Sequence, residues 1–134
     1  MQNQLYKEII LDHWENPQNY GVIFNADIDL TENNPLCGDE IRLTITLSGN
    51  YISDIKFTTE GCAIAKASAS LLTDKVKEMS IKNALSITPK KTLELLGVEL
   101  TPTRTKCALL VYQTLQKALK TADNKIPLIL DQKE

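Results

Sequence analysis

The stretch from Ile41 to Thr59 limits the fold more than any other part of the chain. Ile41, Leu43, Ile45 and Leu47 alternate with Arg42, Thr44, Thr46 and Ser48, so an extended backbone puts one apolar row on a single face. Ser48-Gly49-Asn50 supplies turn chemistry, and residues Tyr51 to Thr59 return with Ile55 and Phe57 facing one way. Ahead of this hairpin, Ala26, Ile28 and Leu30 alternate with Asp27, Asp29 and Thr31 and predict a short half-buried strand. The first half therefore reads as a three-stranded antiparallel meander. Its apolar face needs a cover, and the change of period after Gly61 supplies one. Residues 62–79 read as a helix, alanine-rich at its start, with Leu72, Val76 and Met79 as its apolar stripe. Ser80 caps a short helix through Ala84, and Thr88-Pro89 opens another that Gly97 closes. A last helix runs from about Thr105 to Thr121, with Leu109, Leu115 and Leu119 inward. At the front, Leu5, Ile9, Ile10 and His13 share one face of a helix that Pro17 stops. Strands followed by helices make the class α+β: a three-stranded antiparallel sheet packed against a helical layer, with an N-terminal helix and a long C-terminal helix.

Composition narrows the function. At 134 residues and 43% hydrophobic, the chain suits one globular domain over 1–134, with a core of 5–120 and a tail of 121–134. In that tail Ile126 and Leu128 to Leu130 either dock on the body or fray. Fifteen basic against seventeen acidic side chains, without a basic stripe, argue against nucleic acid. No run approaches the ~18–20 apolar residues of a membrane span, and no basic, then apolar, start marks a secretory signal. Three cysteines cannot all pair within one chain, so a reducing cytoplasm is the expected setting.

Each cysteine has a functional reading and a packing one. Cys37 lies in Asn34-Pro35-Leu36-Cys37-Gly38-Asp39, just before the clearest strand. In an extended backbone Cys37 and Asp39 share a face, giving a thiolate and a carboxylate for a metal; Asn, Pro, Gly and Asp also simply make turns. Cys62 follows Gly61 and is expected in the first turn of its helix, where the macrodipole favours a thiolate. The small residues Ala63, Ala65, Ala67, Ser68, Ala69 and Ser70 after it either admit a close approach or serve close helix packing. Cys107 stands early in the last helix beside Arg104 and Lys106; it too favours a thiolate if accessible, or belongs to an apolar face. If their element ends cluster, Cys37, Asp39, Cys62 and Cys107 supply four ligands of the kind that hold Zn²⁺ or an iron–sulfur centre. Their spacing, 25 and 45 residues between successive cysteines, is not that of a zinc finger. His13, with Asp12 and Trp14 as neighbours, reads as structural, Trp14 as a packing residue, and no phosphate-binding glycine loop is present.

Several segments resemble the U-type iron–sulfur scaffold family, comprising IscU, SufU and the NifU amino-terminal domain. They are Tyr6 through Gly21 with Asp12-His13 and Asn16-Pro17, then Asn34-Pro35-Leu36-Cys37-Gly38-Asp39, Gly61-Cys62-Ala63-Ile64-Ala65 and Lys106-Cys107-Ala108. The resemblance covers about residues 5–120 with the motifs in the same order. It implies a non-enzymatic scaffold that accepts sulfur from a cysteine desulfurase and binds iron. Such a scaffold builds a labile [2Fe–2S] cluster, or holds Zn²⁺ at rest, and passes the cluster to recipient apoproteins. Carried onto this sequence, Cys37, Cys62 and Cys107 are thiolate ligands, Asp39 is the exchangeable one, and Cys37 or Cys107 accepts the persulfide. The alternative it implies is a zinc-dependent, SufU-type sulfurtransferase relaying persulfide sulfur. Lys106 stands where IscU proteins have histidine, and a protonated lysine cannot ligate. The run Arg104-Thr105-Lys106-Cys107 is SUF-like, although SufU proteins carry a longer insertion between the second and third cysteines. Leu100-Thr101-Pro102-Thr103-Arg104 replaces the Leu-Pro-Pro-Val-Lys that an Hsp70 chaperone reads in IscU.

Overall fold

The alternating segments form the sheet the pattern predicts. The computed structural model describes the backbone of residues 2–35 and 38–133, and side chains from 7–35 and 38–122. Strands β1 (Ile28–Asn34), β2 (Asp39–Ser48) and β3 (Tyr51–Glu60) pair antiparallel in the order β1-β2-β3. Leu43 faces Phe57 and Ile45 faces Ile55 across the ladder, and all four are fully buried on one face. Near the turn the register shifts between Thr46 and Leu47, where β3 carries one extra residue, Ser53. That bulge lets Ile52 and Ile55, three apart, both bury on the core side. Strand β1 starts two residues later than its alternation suggested, at Ile28, and runs further, because pairing with β2 continues through Asn34↔Asp39.

The helices are α1 (Gln2–Glu15), α2 (Ala63–Val76), α3 (Ile81–Leu85), α4 (Pro89–Leu96) and α5 (Pro102–Lys133). Helices α2, α3 and α5 cover the sheet through Leu72, Val76, Ile81, Ala84, Val111, Leu115 and Leu119. Each such large side chain contributes about 1.5–3 kcal/mol on burial. A second cluster, Ile10, Ala67, Leu96 and Ala108, ties α1, α2, α4 and α5 together. Residues Ala65, Ala67, Ser68, Ala69 and Ser70 are buried, so the small-residue surface of α2 serves helix packing. There the Ser68 hydroxyl donates to the Ala108 carbonyl of α5 at 2.6 Å. Helix α2 stops at Val76, short of the expected 79, because residues 78 and 79 are drawn into pairing with β3. Glu78 takes φ 72°. Its N–H donates to the Ile52 carbonyl at 2.8 Å, and the Ile52 N–H donates to that of Met79 at 2.9 Å. Helix α4 has the expected ends: the Thr88 side chain accepts from the Lys91 N–H, Pro89 opens it, and Gly97 closes it at φ 69°. Helix α5 begins at Pro102, with Thr101 accepting the Arg104 N–H, and its backbone runs on through the tail. Docking or fraying of Ile126 and Leu128 to Leu130 lies outside the described side chains, as does the inward face of Leu5. Among the described residues no helix is long and apolar enough to cross a membrane.

Between α1 and β1 the chain forms an arm across the sheet. Tyr20 pairs in parallel with Phe57 on the outer edge of β3. The arm then passes over the face opposite the core, where the Ile23 N–H donates to Thr44 Oγ1 at 3.0 Å, and it ends at Asp27, which accepts the Leu47 N–H at 2.7 Å. This cover explains why Thr44, on the non-core side of β2, is buried. His13 is structural, as expected: its Nδ1 lies 2.6 Å from Ser70 Oγ, which also accepts the Gln18 N–H at 2.8 Å. Trp14 is 41% exposed, more than a packing role requires. Replacing the fully buried Ser70 by alanine removes the acceptor of Gln18 and the partner of His13. We expect Ser70→Ala to cost about 1–3 kcal/mol and to raise amide hydrogen exchange selectively over residues 7–20.

Candidate metal centre

Three elements bring three of the four sequence-predicted ligands to one point. Asp39 is the first residue of β2, Cys62 caps α2, and Cys107 lies in the second turn of α5. One ligand atom from each, a carboxylate oxygen and two sulfurs, lies within 4.8 Å of the others. Cys37 lies outside the described residues; it sits in the short connection between β1 and β2, two positions before Asp39.

Asp39 is 1% exposed, and its carboxylate is held from the strand end opposite. Oδ1 accepts the Cys62 backbone N–H at 2.9 Å, while the Cys62 thiol lies 3.7 Å from Oδ2. A carboxylate at a helix N-terminus is favoured by the unpaired N–H groups and by the macrodipole. Cys62 is not in the first turn, as expected, but is the N-cap itself, extended at φ −80° and ψ 164°. Its side chain makes no capping bond, so the sulfur stays aimed at Asp39 and Cys107 instead of the helix backbone. Cys107 is 1% exposed. Arg104 and Lys106 beside it are exposed, so the pair of cations points to solvent while the sulfur faces inward. Lys106 lines a cleft of about 230 Å³ with Asn33, Asn34, Pro35, Leu110 and Gln113.

One edge of the site has the length a small, tetrahedral ion requires. Zn–S bonds of about 2.3 Å and Zn–O bonds of about 2.0–2.2 Å put sulfur and oxygen about 3.5 Å apart on a tetrahedron, and two sulfurs about 3.8 Å apart. The 3.7 Å between Cys62 Sγ and Asp39 Oδ2 already matches the first of these edges. The donor chemistry suits borderline and soft metals, with one hard oxygen among sulfurs. Gly61 is the residue that sequence reasoning passed over. It was visible only as the glycine before Cys62, whereas in the fold it stands beside the Asp39 carboxylate: a Cβ there would lie 1.9 Å from Asp39 Oδ1.

Comparison with known proteins gives a consistent picture. The family described as "NifU-like N terminal domain" matches residues 5–127. The zinc-dependent sulfurtransferase SufU of Bacillus subtilis is 40% identical over 132 residues, covering 86% of this chain and 89% of that protein. The iron–sulfur cluster assembly scaffold protein IscU of Aquifex aeolicus is 40% identical over 117 residues, covering 86% and 74% respectively. The crystal structure of FiSufU from Fervidobacterium islandicum superposes with a TM-score of 0.72 at 30% identity, over 87% of this chain and 97% of that one.

Proposed function

We propose, from the premise that this chain belongs to the NifU-like N-terminal domain family, that it is an iron–sulfur cluster assembly scaffold. In this reading it accepts sulfur from a cysteine desulfurase, binds iron, assembles a labile [2Fe–2S] cluster and hands it to recipient apoproteins in the cytoplasm. The observation that carries it is the convergence of Asp39, Cys62 and Cys107 from a strand, a helix cap and a second helix onto one point. Cys37, in the connection before Asp39, completes the ligand set.

The chain's own residues divide the work between them. Cys107 is buried, which supports Cys37 as the residue that meets an incoming persulfide. Its thiolate attacks the outer sulfur, the S–S bond of the donor breaks, and the desulfurase cysteine leaves as thiolate. Cys62 and Cys107 hold the cargo from the inner side, and Asp39 is the ligand that lets go. A carboxylate binds a soft centre less firmly than a fourth thiolate would, so the cage favours transfer over storage.

One observation favours a second reading, a zinc-dependent sulfurtransferase. The three described ligand atoms lie within 4.8 Å of one another, with one sulfur–oxygen edge of 3.7 Å that suits a tetrahedral ion, and Zn²⁺, when bound, would keep the thiols as thiolates. Anaerobic reconstitution with iron, sulfide and a desulfurase decides between the two. The scaffold reading expects a visible chromophore that is lost in Cys37→Ser, Cys62→Ser and Cys107→Ser. One tightly held zinc per chain, with no chromophore, would favour sulfur transfer. If neither metal binds, both readings fall.

A further inference from the structure

The exposed edge of the candidate centre is set by a residue with no side chain. Gly61 follows β3 directly and, by the register that pairs Glu40 with Glu60, stands opposite Asp39 at the end of the β2/β3 ladder. Its φ of +144° lies where side-chain-bearing residues are strained. A Cβ at this position would meet Asp39 Oδ1 at 1.9 Å, Cγ at 2.6 Å and Cα at 3.0 Å. Turning Asp39 about its Cα–Cβ bond relieves the first two contacts only by carrying the carboxylate away from this position, and it leaves the third, to the backbone, in place. The Asp39 carboxylate thus occupies the space a side chain at 61 would fill. From that notch Oδ1 reaches the Cys62 N–H and Oδ2 turns toward Cys62 Sγ.

We propose that Gly61 is the positioning residue of this centre: its bare backbone forms the notch that fixes the Asp39 carboxylate, commits Oδ1 to the Cys62 N–H and so makes Asp39 a one-oxygen ligand through Oδ2. This rests on the reading of Asp39 as a ligand given above. A carboxylate fixed in this way cannot swing both oxygens onto a metal without giving up its bond to the helix N-terminus. Asp39 is then a ligand of defined geometry and limited grip, a property tuned from the neighbouring backbone.

The test uses the full chain, with Zn²⁺ as the probe. Gly61→Ala, Asp39→Ala, the double variant and Asp39→Glu are compared by competition with a chromophoric chelator. In parallel, the Cys62 amide proton is followed by NMR and hydrogen exchange in metal-free protein. Gly61→Ala is expected to weaken zinc binding about 10–100-fold, the range seen when a residue that orients a metal ligand is lost. Because it acts through Asp39, the double variant should bind no more weakly than Asp39→Ala alone. Asp39→Glu keeps the charge but carries its carboxylate a methylene past the notch, so it should also lose affinity. This variant leaves Gly61 in place and guards against an alanine that merely disturbs folding. In metal-free Gly61→Ala the Cys62 amide should lose its protection. Zinc affinity unchanged in Gly61→Ala while Asp39→Ala weakens it, or multiplying effects in the double variant, overturns the positioning role. An Asp39→Ala chain that binds zinc as tightly as the parent overturns the ligand reading beneath it. In that case a protected Cys62 amide in Gly61→Ala would overturn the notch as well.

Discussion

Phe57→Ala should unfold at a urea concentration far below that of the parent chain, with a loss of about 3–5 kcal/mol and an unchanged slope of stability against urea. Phe57 is fully buried on the core face of the edge strand β3, directly across from Leu43 of β2. Truncation there leaves a cavity that the β2 ladder on one side and the Tyr20 bridge on the other cannot close. The loss also reaches the arm. Tyr20 meets the Phe57 ring edge-on, with centroids 5.4 Å apart and planes at 86°. The Phe57 N–H donates to the Asn19 carbonyl at 3.0 Å, and its own carbonyl accepts the Gly21 N–H at 2.8 Å. Alanine keeps those backbone bonds but removes the ring on which Tyr20 rests. Early exchange of the amides of residues 19–23 should accompany the global loss. A domain of ordinary stability, about 5–15 kcal/mol, would retain little margin. By contrast Phe24, 89% exposed on the arm, should tolerate serine with a change under about 0.5 kcal/mol. Equal effects at the two positions would contradict this account of the core.

The sheet was legible because its signal is local. Alternation from Ile41 to Leu47, a Ser-Gly-Asn turn and a return strand need no tertiary knowledge to be read. The ends of α4 were legible for the same reason, since Thr88, Pro89 and Gly97 act on the backbone beside them. What escaped was held by partners distant in sequence. The last turn expected of α2 is given up because Glu78 and Met79 pair with Ile52. The arm is fixed by Phe57, Thr44 and Leu47, none of them near it in sequence.

The site divides along the same line. Residue types named Asp39, Cys62 and Cys107, and the structure brings those three together; Cys37 lies outside the described residues. The notch at Gly61 depends on register. Counted from the turn, Ser48 pairs with Tyr51 and Leu47 with Ile52, and continuing without interruption would set Asp39 against Glu60. The extra residue in β3 moves the ladder on by one, so that Gly61 meets Asp39 instead. A trace of this was present in the sequence. Ile52 and Ile55 are separated by three residues, which a regular strand cannot bury on one face, so a bulge between them was the consistent solution. The bulge close to the turn is therefore coupled to the metal-ligating end of the hairpin, several residue pairs away.

Cys107→Ala should weaken metal binding about a hundredfold or more while leaving a folded chain. Structural zinc sites contribute about 10–16 kcal/mol of binding, so one ligand in four carries on the order of 3 kcal/mol, about a hundredfold in affinity. The loss at Cys107 should sit at or above that figure, because its sulfur is buried and a water replacing it would enter a site closed by α2 and α5. Folding should suffer less. The change removes one sulfur beside Ala108, whose own burial against Ala67, Ile10 and Leu96 is untouched, so about 1–2 kcal/mol is expected, within the range of small core truncations. Chelator competition and metal-free thermal melts, measured on the same preparation, separate the two effects. Cys62→Ala offers the contrast. Cys62 is half-buried and makes no capping bond through its side chain, so its loss should weaken metal binding similarly and barely move the melt. If the two variants shift the melt equally and leave metal affinity intact, the sulfurs are packing atoms. If affinity falls in both and the melt moves only in Cys107→Ala, they are ligands presented from two depths of the same fold.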